Sequence, residues 1–168
     1  MIENISLVNF VALLCWLHPL TLVVHLAEEY FGGVMLADSP QTMKGVGLTR
    51  ARFLALTGLG VALVIIGIIL ARSFGFTQLL LVILGTFVLI NGTSHAITSW
   101  RKAEYNPGVA TGVLLWIPLG ALTLVYLKSS MSWQRYWTGI LIGIAIHAVV
   151  SWLARGKRQT ERDDVKQT

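Results

Sequence analysis

Apolar residues fill five stretches of the chain, at about residues 5–30, 53–70, 76–100, 109–127 and 133–153, and polar residues gather between them. Inside the stretches polar positions are few, and "FLALTGLGVALVIIGIIL", residues 53–70, carries no ionisable group. Crossing a hydrocarbon core of about 30 Å takes roughly 20 apolar residues of helix, and in lipid a helix satisfies its own backbone polar groups. The pattern therefore predicts an all-α polytopic membrane protein, a bundle of about five transmembrane helices over residues 1–154, with a polar basic tail at residues 155–168. Pro19 in "CWLHPL" removes a backbone donor and predicts a kink in the first helix. The turn "EYNPG", residues 104–108, closes the third, because a proline disfavours a helical residue before it. No internal repeat is visible.

Composition supports lipid as the main solvent. Of 168 residues, 55% are hydrophobic and 12% charged, with a mean hydropathy of +0.70, whereas a soluble domain carries about 25% charged residues. The formal charge of +5 does not indicate nucleic acid, since no basic stripe with interleaved aromatics is present. The basic residues sit between the apolar stretches. With the N-terminus outside, Lys44, Arg50, Arg52, Arg101, Lys102, Arg155, Lys157, Arg158, Arg162 and Lys166 fall on the inner side, against Arg72, Lys128 and Arg135 on the outer. By the positive-inside rule this predicts an inner (plasma) membrane protein with a cytoplasmic C-terminus. Trp100 and Trp152 then mark the inner interface, and Trp133, Tyr136 and Trp137 the outer. The single Cys15 excludes an intramolecular disulfide and a cysteine-rich metal site. "MIENIS" lacks the basic region of a signal peptide.

The polar residues left inside the stretches change the picture. All four histidines, His18, His25, His95 and His147, fall within apolar stretches, and Glu28 and Glu29 close the first one. Ionisable groups in a membrane span are costly and mark function by default. His25 and His95 each lie five residues from the inner end of their stretch and His147 six, a common depth of roughly 8–9 Å at 1.5 Å per residue. Helical spacing places Glu28 and Glu29 on the face of His25, Asn91 on that of His95, and His18 two turns above His25. Each residue also has a packing explanation. The acidic pair can snorkel, the histidines can hydrogen-bond between helices, and His18 can serve the carbonyl freed by Pro19. "GILIG", residues 139–143, has the small-xxx-small spacing of close helix contact.

Two adjacent carboxylates in a low-dielectric layer are offset by a divalent cation, with neutral imidazoles filling the other positions. Histidines with one or two carboxylates suit Zn²⁺ or a non-haem Fe or Mn centre. On this reading His25, Glu29, His95 and His147 are ligands and Glu28 is a general base for metal-bound water. Asn91 and His18 stand behind them or touch substrate.

"HLAEE", residues 25–29, is an H-x-x-E-E string, and with "NGTSH" (91–95) and "YNPG" (105–108) the chain resembles the HXXEE-domain family of small polytopic prokaryotic membrane proteins. That resemblance implies a site at His25, Glu28 and Glu29 and carries no reaction with it. The expectation is a membrane enzyme with a divalent metal (Zn, or Fe/Mn) in its cytoplasmic half. It would act on a lipid-like or small amphipathic substrate by metal-assisted hydrolysis first, oxidation second. The connection at residues 31–49 is placed to cover the site. The alternatives are a proton or metal-ion transporter or channel using the same residues, with His18 as a station, and a non-catalytic accessory membrane subunit.

Overall fold

The computed structural model describes residues 2–35 and 49–155. Most of the connection expected to cover the site, residues 36–48, and nearly all of the polar tail, residues 156–168, lie outside the described residues. Every regular element among the described residues is a helix: α1 (Ile2–Met35), α2 (Arg50–Ser73), α3 (Thr77–Lys102), α4 (Val109–Leu127) and α5 (Trp133–Arg155). The first four contain windows long and apolar enough to cross a membrane. With 23 residues, α5 spans about 34 Å at 1.5 Å per residue. The protein is thus an all-helical, multi-pass membrane protein.

On α1 the residues Leu14, Cys15, His18, Thr21 and His25 are buried, while Leu13, Trp16, Leu20, Val23 and Val24 are exposed. Spacings of three and four put the first set on one stripe, so His18 and His25 do share an inward face. The helix runs without interruption through Pro19 and continues five residues past Tyr30. Glu28 and Glu29 therefore lie within a helix, where side-chain direction is fixed, and not in a loose boundary segment.

Helix α3 is the hub, packed along both α4 and α5, and glycine makes both approaches possible. A Cβ on Gly120 would stand 2.6 Å from the Gly85 carbonyl oxygen, and one on Gly92 2.7 Å from the Gly112 carbonyl oxygen. The small-xxx-small string on α5 packs as expected, Gly139 against Val82 and Gly143 against Thr86 and the Ile83 carbonyl. Gly120→Leu should therefore lower the thermal unfolding temperature in detergent. The overlap is with backbone that cannot rotate away, so the cost exceeds the about 1–3 kcal/mol of ordinary overpacking; an unchanged transition would refute this packing.

One further feature sets up the site. Ala103 ends α3 in the left-handed region (φ 50°), with its N–H on the Ser99 and Trp100 carbonyls, and Arg101 and Lys102 suit the negative end of the helix dipole. The chain turns through Tyr105, Asn106 and Pro107 to Gly108 at φ 93°, from which α4 starts. This turn folds back over the C-terminal half of α1, where Pro107 and Tyr105 lie against Gly32.

Candidate metal centre

His25, Glu29 and His95 converge where α1, α3 and the turn meet. One donor atom from each lies within 4.8 Å of the other two, an arrangement able to hold a metal ion, and among the described residues it is the one such group. Glu29 Oε1 stands 3.1 Å from His95 Nε2 and 3.7 Å from His25 Nε2. The two rings meet edge to face at 5.1 Å. His25 is fully buried, whereas Glu29 and His95 each keep 15% of their side-chain surface accessible, so the group opens on the side of those two residues. Asn91, expected behind the ligands, places its Nδ2 3.4 Å from His25 Nε2.

The turn and the start of α4 build the rest. Gly108 lies against both rings: a Cβ there would meet His95 Cε1 at 2.8 Å and His25 Cε1 at 2.9 Å. Asn106 Nδ2 sits 2.8 Å from His95 Nδ1. Thr111 Oγ1 sits 2.7 Å from His25 Nδ1. Residues Gly112–Trp116 form a π-helical turn, whose extra residue per turn brings the buried Trp116 ring flat onto His25, centroids 3.6 Å apart and 25° between planes. His25 is thereby held on its face by Trp116, on one edge by Thr111 and on the other by Asn91.

Glu28 has a different environment. Its Oε1 accepts from the Tyr105 hydroxyl (2.6 Å) and the Ala110 N–H (3.0 Å). Its Oε2 accepts from the Thr111 N–H (2.7 Å) and from the Thr111 hydroxyl. The first turn of α4 has no side-chain cap of its own, so a carboxylate from α1 satisfies two of its orphan N–H groups and meets the positive end of its dipole. All four lone-pair sites of the carboxylate are taken by donors.

Partial burial, and after it the hydrogen bond to Glu28, pushes the Tyr105 phenol from its ordinary 10.0 up to about 12. The fold thus favours the neutral phenol. Its contribution is complete below the unfolded value of about 10 and is lost as pH rises through about 12. Unfolding temperature measured against pH should fall across that window in the natural protein, and less steeply in Tyr105→Phe.

The structure does not bring His147 into the group. Its ring lies against Phe87, centroids 5.8 Å apart, and Phe87 in turn lies 6.3 Å from Trp116. The glycine contacts of α5 explain this. With Gly139 at Val82 and Gly143 at Thr86, His147 falls level with Ile90, short of His95 by five residues or roughly 8 Å. His18 is buried away from the group as well. Its Nε2 lies 3.3 Å from Thr123 Oγ1, whose own hydrogen goes to the Leu119 carbonyl, so the imidazole donates and ties α1 to α4. It does not serve the carbonyl freed by Pro19, because its other nitrogen has no hydrogen-bond partner.

Thr111, Asn106, Gly108 and Trp116 were not singled out by the sequence, although the "YNPG" turn containing two of them was. Thr111 and Trp116 sit in an unremarkable apolar run, and only the π turn and the tertiary fold give them a role.

Residues 16–123 match the profile of a family described as "protein of unknown function with HXXEE motif". The matched stretch exceeds half of the chain, and the chain belongs to that family. It contains every residue of the group and of its surround, and it ends before α5 and His147. No curated protein and no solved structure shows a significant match.

Proposed function

We propose that this member of the HXXEE family is a membrane metalloenzyme. Its His25–Glu29–His95 group binds one divalent metal near the inner face of the plasma membrane and acts on a lipid-like or small amphipathic substrate. The observation that carries the proposal is the convergence of two imidazoles and one carboxylate from sequence positions 66 and 4 residues apart. Two histidines and a glutamate form the donor set of catalytic zinc hydrolases, which keep a fourth position for water. They also form the facial triad of non-haem iron enzymes. Metal-assisted hydrolysis remains the first reading and oxidation the second. The accessible edge of Glu29 and His95 is the side on which water and substrate would enter. Glu28, its lone pairs filled, anchors α4 over the site in place of acting as a base.

The proposed orientation has the C-terminus in the cytoplasm, on the strength of the ten basic residues that then face inward against three outward. The site then lies where the headgroup of an inner-leaflet lipid meets the hydrocarbon, which is why an amphipathic substrate fits better than a soluble one.

The test uses purified protein in lipid nanodiscs, loaded in turn with Zn²⁺, Fe²⁺ and Mn²⁺. It is challenged with ester, amide and phosphodiester lipid analogues, and oxygen consumption is followed in the Fe²⁺ sample. Turnover that needs the metal and disappears in Glu29→Gln supports the enzyme. Metal uptake into protein-bearing liposomes with no turnover supports transport, with the buried His18 on the same face as a second station. Glu28→Gln separates anchor from base: an anchor variant loses thermal stability and metal affinity together, whereas a base variant keeps its metal and loses only turnover.

A further inference from the structure

The two histidines of the centre are held differently at their far nitrogens. Thr111 has one hydroxyl hydrogen, and that hydrogen is committed to Glu28, whose carboxylate already gathers the Thr111 N–H, the Ala110 N–H and the Tyr105 hydroxyl. A carboxylate ringed by three other donors is an acceptor, so the hydroxyl must point its hydrogen at Glu28. What Thr111 Oγ1 presents to His25 Nδ1 at 2.7 Å is then a lone pair. His25 must supply the hydrogen of that bond, from Nδ1. The other side of the ring agrees, because Asn91 turns an N–H group toward Nε2, which is an acceptor only when it carries no hydrogen.

We infer that Thr111, oriented by Glu28, is a positioning residue that locks neutral His25 in the Nδ1–H form and leaves the Nε2 lone pair facing Glu29 and His95. Carboxylate, hydroxyl and imidazole form a relay from the N-terminus of α4 to the metal position. Outer partners of this kind fix the tautomer and ring orientation of ligating histidines, and their loss typically costs 10–100-fold in metal affinity. Here the relay also couples two jobs, since the carboxylate that starts α4 is the one that orients the ligand. His95 provides the contrast. Asn106 directs an N–H group at its Nδ1 and Glu29 Oε1 faces its Nε2, so metal-free His95 carries its hydrogen on Nε2. Loading a metal there requires that hydrogen to pass to Nδ1 and the Asn106 amide to turn its oxygen to the ring. His25 is set before the metal arrives and His95 is reset by it.

The tautomer of His25 does not depend on a metal, whereas its consequence for affinity rests on the metalloenzyme reading, and one experiment separates the two. Protein labelled with ¹⁵N in its histidine rings is prepared metal-free in nanodiscs. The ring-nitrogen shifts, assigned by single histidine variants, report which nitrogen carries hydrogen. His25 is expected in the Nδ1–H form and His95 in the Nε2–H form. Thr111→Val should release His25 into a mixture of forms and weaken Zn²⁺ binding by about 10–100-fold, and Thr111→Ser should restore both. His25 in the Nε2–H form in the natural protein overturns the inference, as does a Thr111→Val spectrum unchanged at His25. Should Thr111→Val fail to fold, the natural protein and Thr111→Ser still decide it, because both must show the Nδ1–H form. The expected tautomers in a protein that binds no metal would sustain the relay and refute the metal reading alone.

Discussion

Gly108→Ala should weaken Zn²⁺ binding at the proposed centre by at least about 100-fold while leaving every candidate ligand in the sequence. Two independent effects act at this position. The backbone has φ 93°, a region that costs an L-residue about 1–2 kcal/mol. The new methyl would also overlap His95 Cε1 and Nδ1 and His25 Cε1 at 2.8–2.9 Å, and such overpacking costs about 1–3 kcal/mol more. Neither ring can retreat freely. His25 is pinned between Trp116 and Thr111, and His95 holds Asn106. The turn must therefore lift off, or the rings must part. Either outcome spoils a group whose donor atoms now lie within 4.8 Å of one another. Isothermal titration with Zn²⁺ in detergent should show affinity lower by at least about 100-fold, at the upper end of what losing an outer support costs, together with a lower unfolding temperature. Natural affinity in Gly108→Ala would mean that the turn does not roof the centre.

The polar residues inside the helices should divide sharply by their effect on metal. His25→Ala, His95→Ala and Glu29→Gln should each abolish stoichiometric metal, because a three-donor site has none to spare. His147→Ala should leave metal content unchanged, and His18→Ala should lower stability by at least about 1 kcal/mol, because it loses the bond to Thr123 and leaves a cavity at a buried position. These five variants, assayed for metal per chain by mass spectrometry, separate the group defined by geometry from the layer suggested by spacing alone. Loss of metal in His147→Ala would restore the larger ligand set and contradict the register of α5 against α3.

That division also shows what the sequence discloses and what it does not. Five helices, their order and the inward face of α1 follow from hydropathy and helical spacing, because lipid leaves a chain few other solutions. The pairing of His25 with His95 was legible from depth, as each lies five residues from the end of its apolar stretch. The same reasoning misplaced His147, since the relative height of two helices is set by which side chains interlock. Here Gly139 and Gly143 on Val82 and Thr86 fix the height, and apolar boundaries locate a helix end only to within a turn. Glu28 was expected as a general base, and its place as an anchor for α4 was not legible. Two of its four partners, the N–H groups of Ala110 and Thr111, are backbone atoms more than eighty residues away and leave no trace in residue identity. Trp116 acquires its role through the π turn and Thr111 through the meeting of α1 with the start of α4, neither of which composition announces.

We propose that His25, Glu29 and His95 together hold one divalent metal. The decisive measurement is the metal content and X-ray absorption spectrum of the natural protein, purified without chelator and then reconstituted separately with Zn²⁺, Fe²⁺ and Mn²⁺. About one tightly held ion per chain is expected for at least one of these metals, with two imidazole nitrogens and a carboxylate oxygen at roughly 2.0–2.2 Å for zinc. A protein that stays metal-free through all three reconstitutions, or that binds metal with the same spectrum in His95→Ala, would contradict it.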